Sequence, residues 1–469
     1  MADQHLERER TYDVPAGFVL PELGESERRT YELEATYYDT DDGLLQARGV
    51  TLRHRVGGKD DGWHLKVPHP DGKLEIHVDS EVTSPPDELV GLTRGLRLER
   101  PLHERAVLRT TRDAYEFHSN DRALLAELAD DTVVATSAGG EVGVRWREVE
   151  IEMGPAGTAG VCDGLADRLR AAGAVPSAHG SKLARALGDP ATKPSLPGVG
   201  GVVDSYLHKQ YERVAWGDLR LRRDENVVHK TRVAVRRIRS TLRIFAPLFD
   251  TRVAHLDAEL SWYADVLGRV RDLAVLRRTV EDDLASDPDL VAGPEAAGGL
   301  RHALEEESRR AWAELRTVLD SARYLDLLQE IDRWRLQAPM TPDAEAGAKR
   351  VERFLRRAEK KSDRRLERAA AAHGDKVDTA LHRARKAAKR TRYAAELALP
   401  KLGKPAKRIA KAHERRQDAL GEVQDHAMTV AALRELAATE DITAEVAFLC
   451  GVLAQRHADE KVGARSRWR

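Results

Sequence analysis

Glu7 and Glu9 stand two apart in LERERTYDV, and Glu148, Glu150 and Glu152 stand two apart in REVEIEM. On a β-strand that spacing puts each row on one face, with about 6–7 Å between neighbours. Carboxylates crowded in this way repel unless a cation lies among them, and an all-oxygen donor set suits a hard divalent ion such as Mg²⁺ or Mn²⁺. Between the acidic strands, cations follow the same alternation: Arg53 and Arg55 in TLRHRV, Lys66 in WHLKVP, Lys73 beside Glu75 in KLEI, then Arg109 and Arg112 in LRTTR. Arginine offers a planar fork of donors for phosphate oxygens, and lysine a compact mobile charge. A cavity with one acidic and one basic wall fits a metal-bound oligophosphate, because the metal links the carboxylates to the phosphate while Arg and Lys meet the remaining oxygens. The competing reading is a charged, solvated sheet. Charged rows on at least four strands weigh against it. His54, His64 and His77 read as surface or structural residues.

A second constellation lies in the other half of the chain. His229, Arg232, Arg236, Arg239 and Arg243 recur at intervals of 3, 4, 3 and 4. This makes one face of a helix about 20 Å long. HKTRVAVRRIR, His229–Arg239, aligns with HRARKAAKRTR, His382–Arg392, at an offset of 153, which sets His382, Arg385, Lys389 and Arg392 on an equivalent stripe. LGRVRD, Leu267–Asp272, aligns with LGEVQD, Leu420–Asp425, at the same offset. Two matches in one register indicate a duplication. Val235, Ile238 and Leu242 suit the core side of the first helix, and Ala384 and Ala388 that of the second. A solvated face normally mixes signs, whereas residues 351–400 hold 15 Lys or Arg against 7 Asp or Glu. Like charge at this density is expected to bind a polyanion.

The elements that must carry these residues differ along the chain. Residues 4–185 read as short alternating strands with turns, LLAELADDTVV being one more strand and CDGLADRLRAAGAV a helix ending at Gly173. From residue 202 the pattern is helical throughout. The segment DPATKPSLPGVGG, Asp189–Gly201, is the expected linker. A chain of 469 residues exceeds one core, so the expected division is a sheet domain at 1–188, a linker at 189–201 and a helical domain at 202–469, its halves at about 202–345 and 346–455. The net charge of −1 hides a split: residues 1–200 carry 35 Asp and Glu against 24 Lys and Arg, and residues 201–469 carry 43 against 53. No signal peptide and no run of about 20 apolar residues is evident, so a cytoplasmic protein without membrane insertion is expected. Cys162 and Cys450 are the only cysteines, which argues against a disulfide framework or a cysteine-based zinc site.

The opening Glu-x-Glu, then YYDTDDGLLQARGVTLRHRVGGKDDGWHLKVP, KLEIHV, WREVEIEM and SKLARAL, resembles the CYTH domain of the triphosphate tunnel metalloenzymes over most of residues 4–187. The resemblance implies an antiparallel eight-stranded β tunnel of α+β type that binds triphosphate or longer polyphosphate with Mg²⁺ or Mn²⁺. Family members include inorganic triphosphatases, thiamine triphosphatases and adenylate cyclases. It places Glu7, Glu9, Glu150 and Glu152 in the metal-binding set, these with Lys66 in the catalytic set, and Arg53, Arg55, Lys66, Lys73, Arg109 and Lys182 against phosphate, with Arg112 from the alternation. The family's Glu-x-Glu-x-Lys is here Glu7-Arg8-Glu9-Arg10-Thr11, and Arg10 has the wrong parity to replace the lysine.

Residues 202–450 resemble the CHAD domain, a conserved histidine α-helical domain. This implies an all-α bundle with internal pseudo-twofold symmetry that binds inorganic polyphosphate through His229, Arg232, Arg236, Arg239, His382, Arg385, Lys389 and Arg392, with Arg243 on the same stripe and Arg237 and Arg390 adjacent. Three functions stay open: an enzyme cleaving triphosphate or polyphosphate, a non-catalytic binder at polyphosphate granules with a degenerate tunnel, and, as the weaker reading, a nucleic-acid-binding module. The last lacks a recognition helix or a row of stacking aromatics.

Overall fold

The structure, a computed structural model, describes residues 3–139, 142–190, 193–286, 293–374, 376–439 and 441–468. Residues 191 and 192 of the expected linker, and Glu141 at the head of EVGVRWREVEIEM, lie outside the described residues. The chain separates into two compact units, residues 1–192 and 193–469.

The first unit runs β1 (Asp3–Glu7), β2 (Glu9–Asp13), β3 (Glu27–Asp39), β4 (Thr51–Val56), β5 (Gly62–His69), β6 (Gly72–Val78), α1 (Asp87–Thr93), β7 (His103–His118), β8 (Leu124–Ser137), β9 (Val142–Met153), α2 (Ala159–Ala171), β10 (Val175–Pro176) and α3 (Lys182–Leu187). All pairings are antiparallel, in the order β1-β6-β5-β4-β3-β7-β8-β9-β2-β10. β1 and β2 belong to opposite ends of this order yet are separated in the chain by Arg8 alone. The sheet therefore curls until its two ends share one N-terminal segment, which pairs with β6 before Arg8 and with β9 after it. Eight strands are expected from the sequence and ten are found. The break at Arg8 splits one strand into two, and Val175–Pro176 adds a two-residue strand on β2.

The sheet is inverted relative to an ordinary half-buried one. Its charged rows face inward, and an apolar parity faces outward under helices and loops, while a further inward stretch is apolar, where Tyr37, Leu108, Val133 and Trp146 pack with Leu183 of α3. On β9, Val149 and Ile151 are buried against Leu165, Ala166 and Leu169 of α2. On β4, β5 and β6, the outward Leu52, Trp63, Leu65 and Ile76 are completely buried. Ser181 caps α3, its hydroxyl accepting from the Ala184 amide at 3.1 Å, and so fixes the helix whose first residue is Lys182.

The second unit is helical: α4 (Gly198–Arg222), α5 (Val228–Ile244), α6 (Val253–Ser286), α7 (Gly293–Leu319), α8 (Ala322–Leu336), α9 (Val351–Ala370), α10 (Lys376–Leu402), α11 (Lys404–Ala437) and α12 (Ala444–Trp468). α5 buries Val235, Ile238 and Leu242 on one face, and α10 buries Ala384 and Ala388. α5 and α10 pack against each other, α5 also against α6, and α10 against α11. Among the described residues no helix is long and apolar enough to cross a membrane.

The sheet closes where β1 meets β6, and Gly72 is needed there. A Cβ at this position would lie 2.0 Å from the Glu7 carbonyl oxygen. Gly72→Ala is expected to lower the stability of the first unit by about 1–3 kcal/mol, through forced backbone displacement. Urea unfolding followed by tryptophan fluorescence checks this, and an unchanged midpoint would remove the constraint.

Candidate functional site

The inward faces of the curled sheet line a cavity of about 210 Å³. Glu7, Glu9, Glu150 and Glu152 all reach it, as do Arg53, Arg55, Lys66, Lys73, Arg112 and Lys182. The strand register explains how acids from both ends of the unit meet: Glu9 sits opposite Glu152, and Thr11 opposite Glu150. Arg10 points outward and pairs with Asp163 of α2 at 2.7 Å. Arg109 does not join the cavity. It is 67% exposed and pairs with Glu34 on neighbouring β3 at 2.8 Å, because an odd three-residue step on β7 separates it from the inward Arg112.

Cations and carboxylates neutralise each other across this cavity. Lys66 Nζ lies 2.6 and 2.7 Å from the two Glu7 oxygens, and Lys73 Nζ lies 2.6 Å from Glu9 Oε1. Lys182 Nζ is 3.1 Å from Asp131, 2.8 Å from Glu148 and 2.6 Å from Glu150, and Arg112 clamps Asp131 with two bonds while reaching Glu150 at 2.9 Å. Burial pushes the Glu150 carboxyl up, but Lys182 and Arg112 outweigh it and hold Glu150 well below the usual range. Glu9 is lowered in the same manner, burial being outweighed by Lys66 and Lys73. Glu7 behaves oppositely. Burial drives it up to about 8, Lys66 offsetting only part and Glu75 adding to the rise. Glu152 is likewise raised by burial, against Lys66. Glu75 is the ionised partner of Glu7: despite burial, Lys66, His5 and His64 hold it far below its ordinary value.

Two clusters at this cavity bring three potential ligand atoms within 4.8 Å of one another: His5, Glu7 and Glu75, which line it, and Glu148 and Glu150 of the lining with the fully buried Asp131 behind them. Their carboxylate-rich donor chemistry fits a hard divalent cation. His5, Glu75 and Asp131 are absent from the expected set. His5 shares parity with Glu7, and Glu75 with Lys73, so alternation alone could have found both. Asp131 carried no such signal, since its strand, LLAELADDTVV, has no charged row.

In the second unit a cavity of about 820 Å³ is lined by both basic stripes: His229, Arg232 and Arg236 from α5, and His382, Arg385 and Lys389 from α10. The distal members of each stripe turn elsewhere. Arg239 and Arg243 bind Asp257, Arg237 binds Glu396, and Arg392 binds Glu414 and Glu396. Arg390 also lies off the cavity lining. A stripe with a period of 3.5 drifts around a helix of 3.6 residues per turn, and acidic residues on α6, α10 and α11 capture its far end. Arg269 and Arg271 inside LGRVRD, Lys386 inside the second histidine motif, and Arg310 of α7 also line the cavity and went unread.

The matched motifs of α5–α6 and α10–α11 make matching contacts. Arg232 reaches Asp272 at 2.9 Å, and Arg385 reaches Asp425 at 3.3 Å. An added Cβ on Gly268 would lie 3.1 Å from the Arg232 guanidinium, and one on Gly421 would lie 3.2 Å from that of Arg385. Among the described residues, Arg236, Arg271, Lys386 and Lys389 have no carboxylate at ion-pairing distance. Burial, then Arg385 and Arg236, lower the Lys389 ammonium to about 7. Burial and neighbouring arginines lower His229 as well, and burial lowers Arg236.

A CYTH domain model matches residues 6–186, and a CHAD domain model matches residues 205–434. An uncharacterized protein of Mycobacterium tuberculosis, Rv2226, is 33% identical over 496 residues, covering 97% of this chain and 93% of its own. The chain belongs to the family of proteins in which a CYTH domain is followed by a CHAD domain. Among solved structures, PptA from Streptomyces chartreusis is 24% identical with a TM-score of 0.48, over 58% of this chain and 98% of its own. The CHAD domain from the plant Ricinus communis is 24% identical with a TM-score of 0.48, over 59% of this chain and 94% of its own.

The depressed Lys389 has a measurable signature. Between about pH 7 and its ordinary value of about 10.4, the unfolded chain binds more protons at this group than the folded one, so this group's unfavourable contribution is full below pH 7 and fades as pH rises. Lys389→Met is therefore expected to raise the thermal midpoint of the ligand-free protein near pH 6, with the gain shrinking toward about pH 9. A gain that is constant with pH would contradict the assignment.

Proposed function

We propose that the second unit binds inorganic polyphosphate in its basic cavity, and that the first unit takes a triphosphate or the end of a longer chain, with Mg²⁺ or Mn²⁺, and hydrolyses its terminal phosphoryl group. The observation that carries the first part is the convergence of Arg236, Arg271, Lys386 and Lys389 without carboxylate partners. An anion with closely spaced charges along a flexible chain neutralises such a group best. We read this unit, about 202–469 after a linker at 189–201, as a duplicated bundle with halves at about 202–345 and 346–455. The recurrence of Arg232–Asp272 as Arg385–Asp425, and of the two Gly–Arg contacts, supports that reading. On this reading Arg237, Arg239, Arg243, Arg390 and Arg392, none of which lines the cavity, stand outside the binding set.

In the first unit, at 1–188, Glu7, Glu9, Glu150 and Glu152 are the metal-facing carboxylates, with Glu75, Glu148 and Asp131 beside them. A divalent ion bound there supplies Lewis-acid neutralisation of phosphate oxygens. Arg53, Arg55, Lys73, Arg112 and Lys182 orient the chain, and Lys66, between Glu7 and Glu75, exchanges carboxylate for phosphate contacts when substrate enters. Metal-dependent phosphate release from short and long polyphosphates tests this. Glu150→Gln with Glu152→Gln is expected to reduce release at least about 100-fold, as loss of groups that stabilise transition-state charge does. Unchanged release in this variant overturns the site.

Thr11 favours a second reading. It lines the cavity without supplying a cation, opposite Glu150. Binding with no release in the wild-type protein would make this a non-catalytic binder on polyphosphate granules.

For the second unit, Arg232→Ala with Arg236→Ala, and Arg385→Ala with Lys389→Ala, are each expected to weaken long-chain polyphosphate binding about tenfold or more, about 1.4 kcal/mol per decade. Affinity should also fall steeply with salt. Competition with duplex DNA at fixed salt separates this from nucleic-acid binding, and wild-type affinity in both folded variants would refute the two-stripe cavity.

A further inference from the structure

Away from both cavities, α6, α11 and α12 bring two histidines and two carboxylates together. The three helices meet through Leu276 and Val280 of α6, Leu433 and Leu436 of α11, and Leu449 and Leu453 of α12. At the edge of this core, Nδ1 of His426 on α11 lies 2.9 Å from Nδ1 of His457 on α12. Glu460 Oε2 lies 3.3 Å from the first nitrogen and 3.1 Å from the second. His457 is 5% exposed, and its Nε2–H donates to Asp283 Oδ2 of α6 at 2.8 Å.

This bond settles the tautomer. A carboxylate only accepts, so the His457 proton sits on Nε2, and its Nδ1 turns a lone pair toward a second carboxylate and a second imidazole. His426 Nδ1, His457 Nδ1 and Glu460 Oε2 then converge on one point, which must hold either a hydrogen or a cation. A hydrogen carried on His426 Nδ1 and shared with His457 and Glu460 is one such occupant. A metal ion is the other, and the surroundings are those of a metal site. A carboxylate behind a ligating imidazole fixes ring orientation and raises basicity, as Asp283 does here. Zinc-class ions with bonds of about 2.0–2.1 Å hold tetrahedral ligands about 3.3–3.4 Å apart, so this triangle needs to open by at most about 0.5 Å. Arg456 lies on the outer side, 3.9 Å from Asp283 Oδ1 and 3.7 Å from Glu460 Oε1, on oxygens turned away from the histidines.

We propose that His426 Nδ1, His457 Nδ1 and Glu460 Oε2 form a binding site for a divalent transition metal of the zinc class, with Asp283 as the positioning residue behind His457 and the fourth position open to water. The two-nitrogen donor set separates it chemically from the carboxylate-rich cavity of the first unit. Its metal ties α11 to α12 directly and to α6 through Asp283.

The test uses the full chain, stripped with chelator and returned to buffer with excess Mg²⁺ so that oxygen-rich sites are filled. Titration with Co²⁺ is expected to give one equivalent of an intense visible tetrahedral spectrum, bleached by one equivalent of Zn²⁺. His426→Gln and Glu460→Gln should each abolish it. Asp283→Asn should keep the spectrum but weaken Co²⁺ binding about 10–100-fold, as loss of an orienting carboxylate does. Glu460 is 41% exposed, so its variant reads the site even where a histidine variant fails to fold. No saturable tetrahedral spectrum in the wild-type chain overturns the proposal and leaves a shared proton at the cluster. A spectrum that survives in Glu460→Gln overturns it too, since the metal is then bound elsewhere.

Discussion

Charge removed from water must be met by opposite charge, and the two units meet that constraint in different ways. In the first, each inward acid of the pairs Glu7–Lys66, Glu9–Lys73 and Glu150–Lys182 finds its cation at 2.6 Å inside the same cavity. A ligand entering there must replace existing ion pairs, so the site selects for something that satisfies both signs at once. In the second, Arg236, Arg271, Lys386 and Lys389 have no carboxylate at ion-pairing distance among the described residues, although Asp272 and Asp425 line the same cavity, and burial with Arg385 and Arg236 loosens the Lys389 proton. Selectivity is expected of the first arrangement and avidity of the second.

The inverted sheet follows from the same constraint. A charged interior cannot serve as the hydrophobic core, so the apolar parity must find cover outside. α2 covers Val149 and Ile151, and Trp63 is fully buried, its indole N–H donating to the Val82 carbonyl at 2.7 Å. The helices are thus not appendages to the sheet. α2 buries part of its outward apolar face, and α3 seals an apolar stretch of the inward face through Leu183 against Leu108, Val133 and Trp146, which together are a main source of stability for the unit.

Much of this was legible in the sequence because period two is unambiguous where charges alternate. The parity of Glu148, Glu150 and Glu152 against Val149 and Ile151 foretold both the cavity wall and the core behind it. Arg109 and Arg112 show where the reasoning failed. Three residues apart, they cannot share a face of a regular strand, and parity alone would have excluded one of them. Asp131 could not be recognised before its register opposite Arg112 and Glu148 was known. On the helices, the 3,4 spacing located the stripes but not their ends, because the choice between cavity and ion pair depends on Asp257 and Glu414, which come from other helices. The cluster around His457 joins residues up to 174 positions apart, and nothing local marks it.

The contacts between Gly268 and Arg232, and between Gly421 and Arg385, tie residue choices on separate helices together. A methyl group on either glycine asks the end of the facing guanidinium to give by a few tenths of an ångström, at the expense of its contact with the aspartate. A larger side chain at either glycine asks the arginine to swing away. Each pair should covary as a unit, and independently of the other. Among divergent relatives, a broken Gly–Arg pair beside one basic stripe and an intact pair beside the other would mark a protein in which the two stripes have begun to specialise.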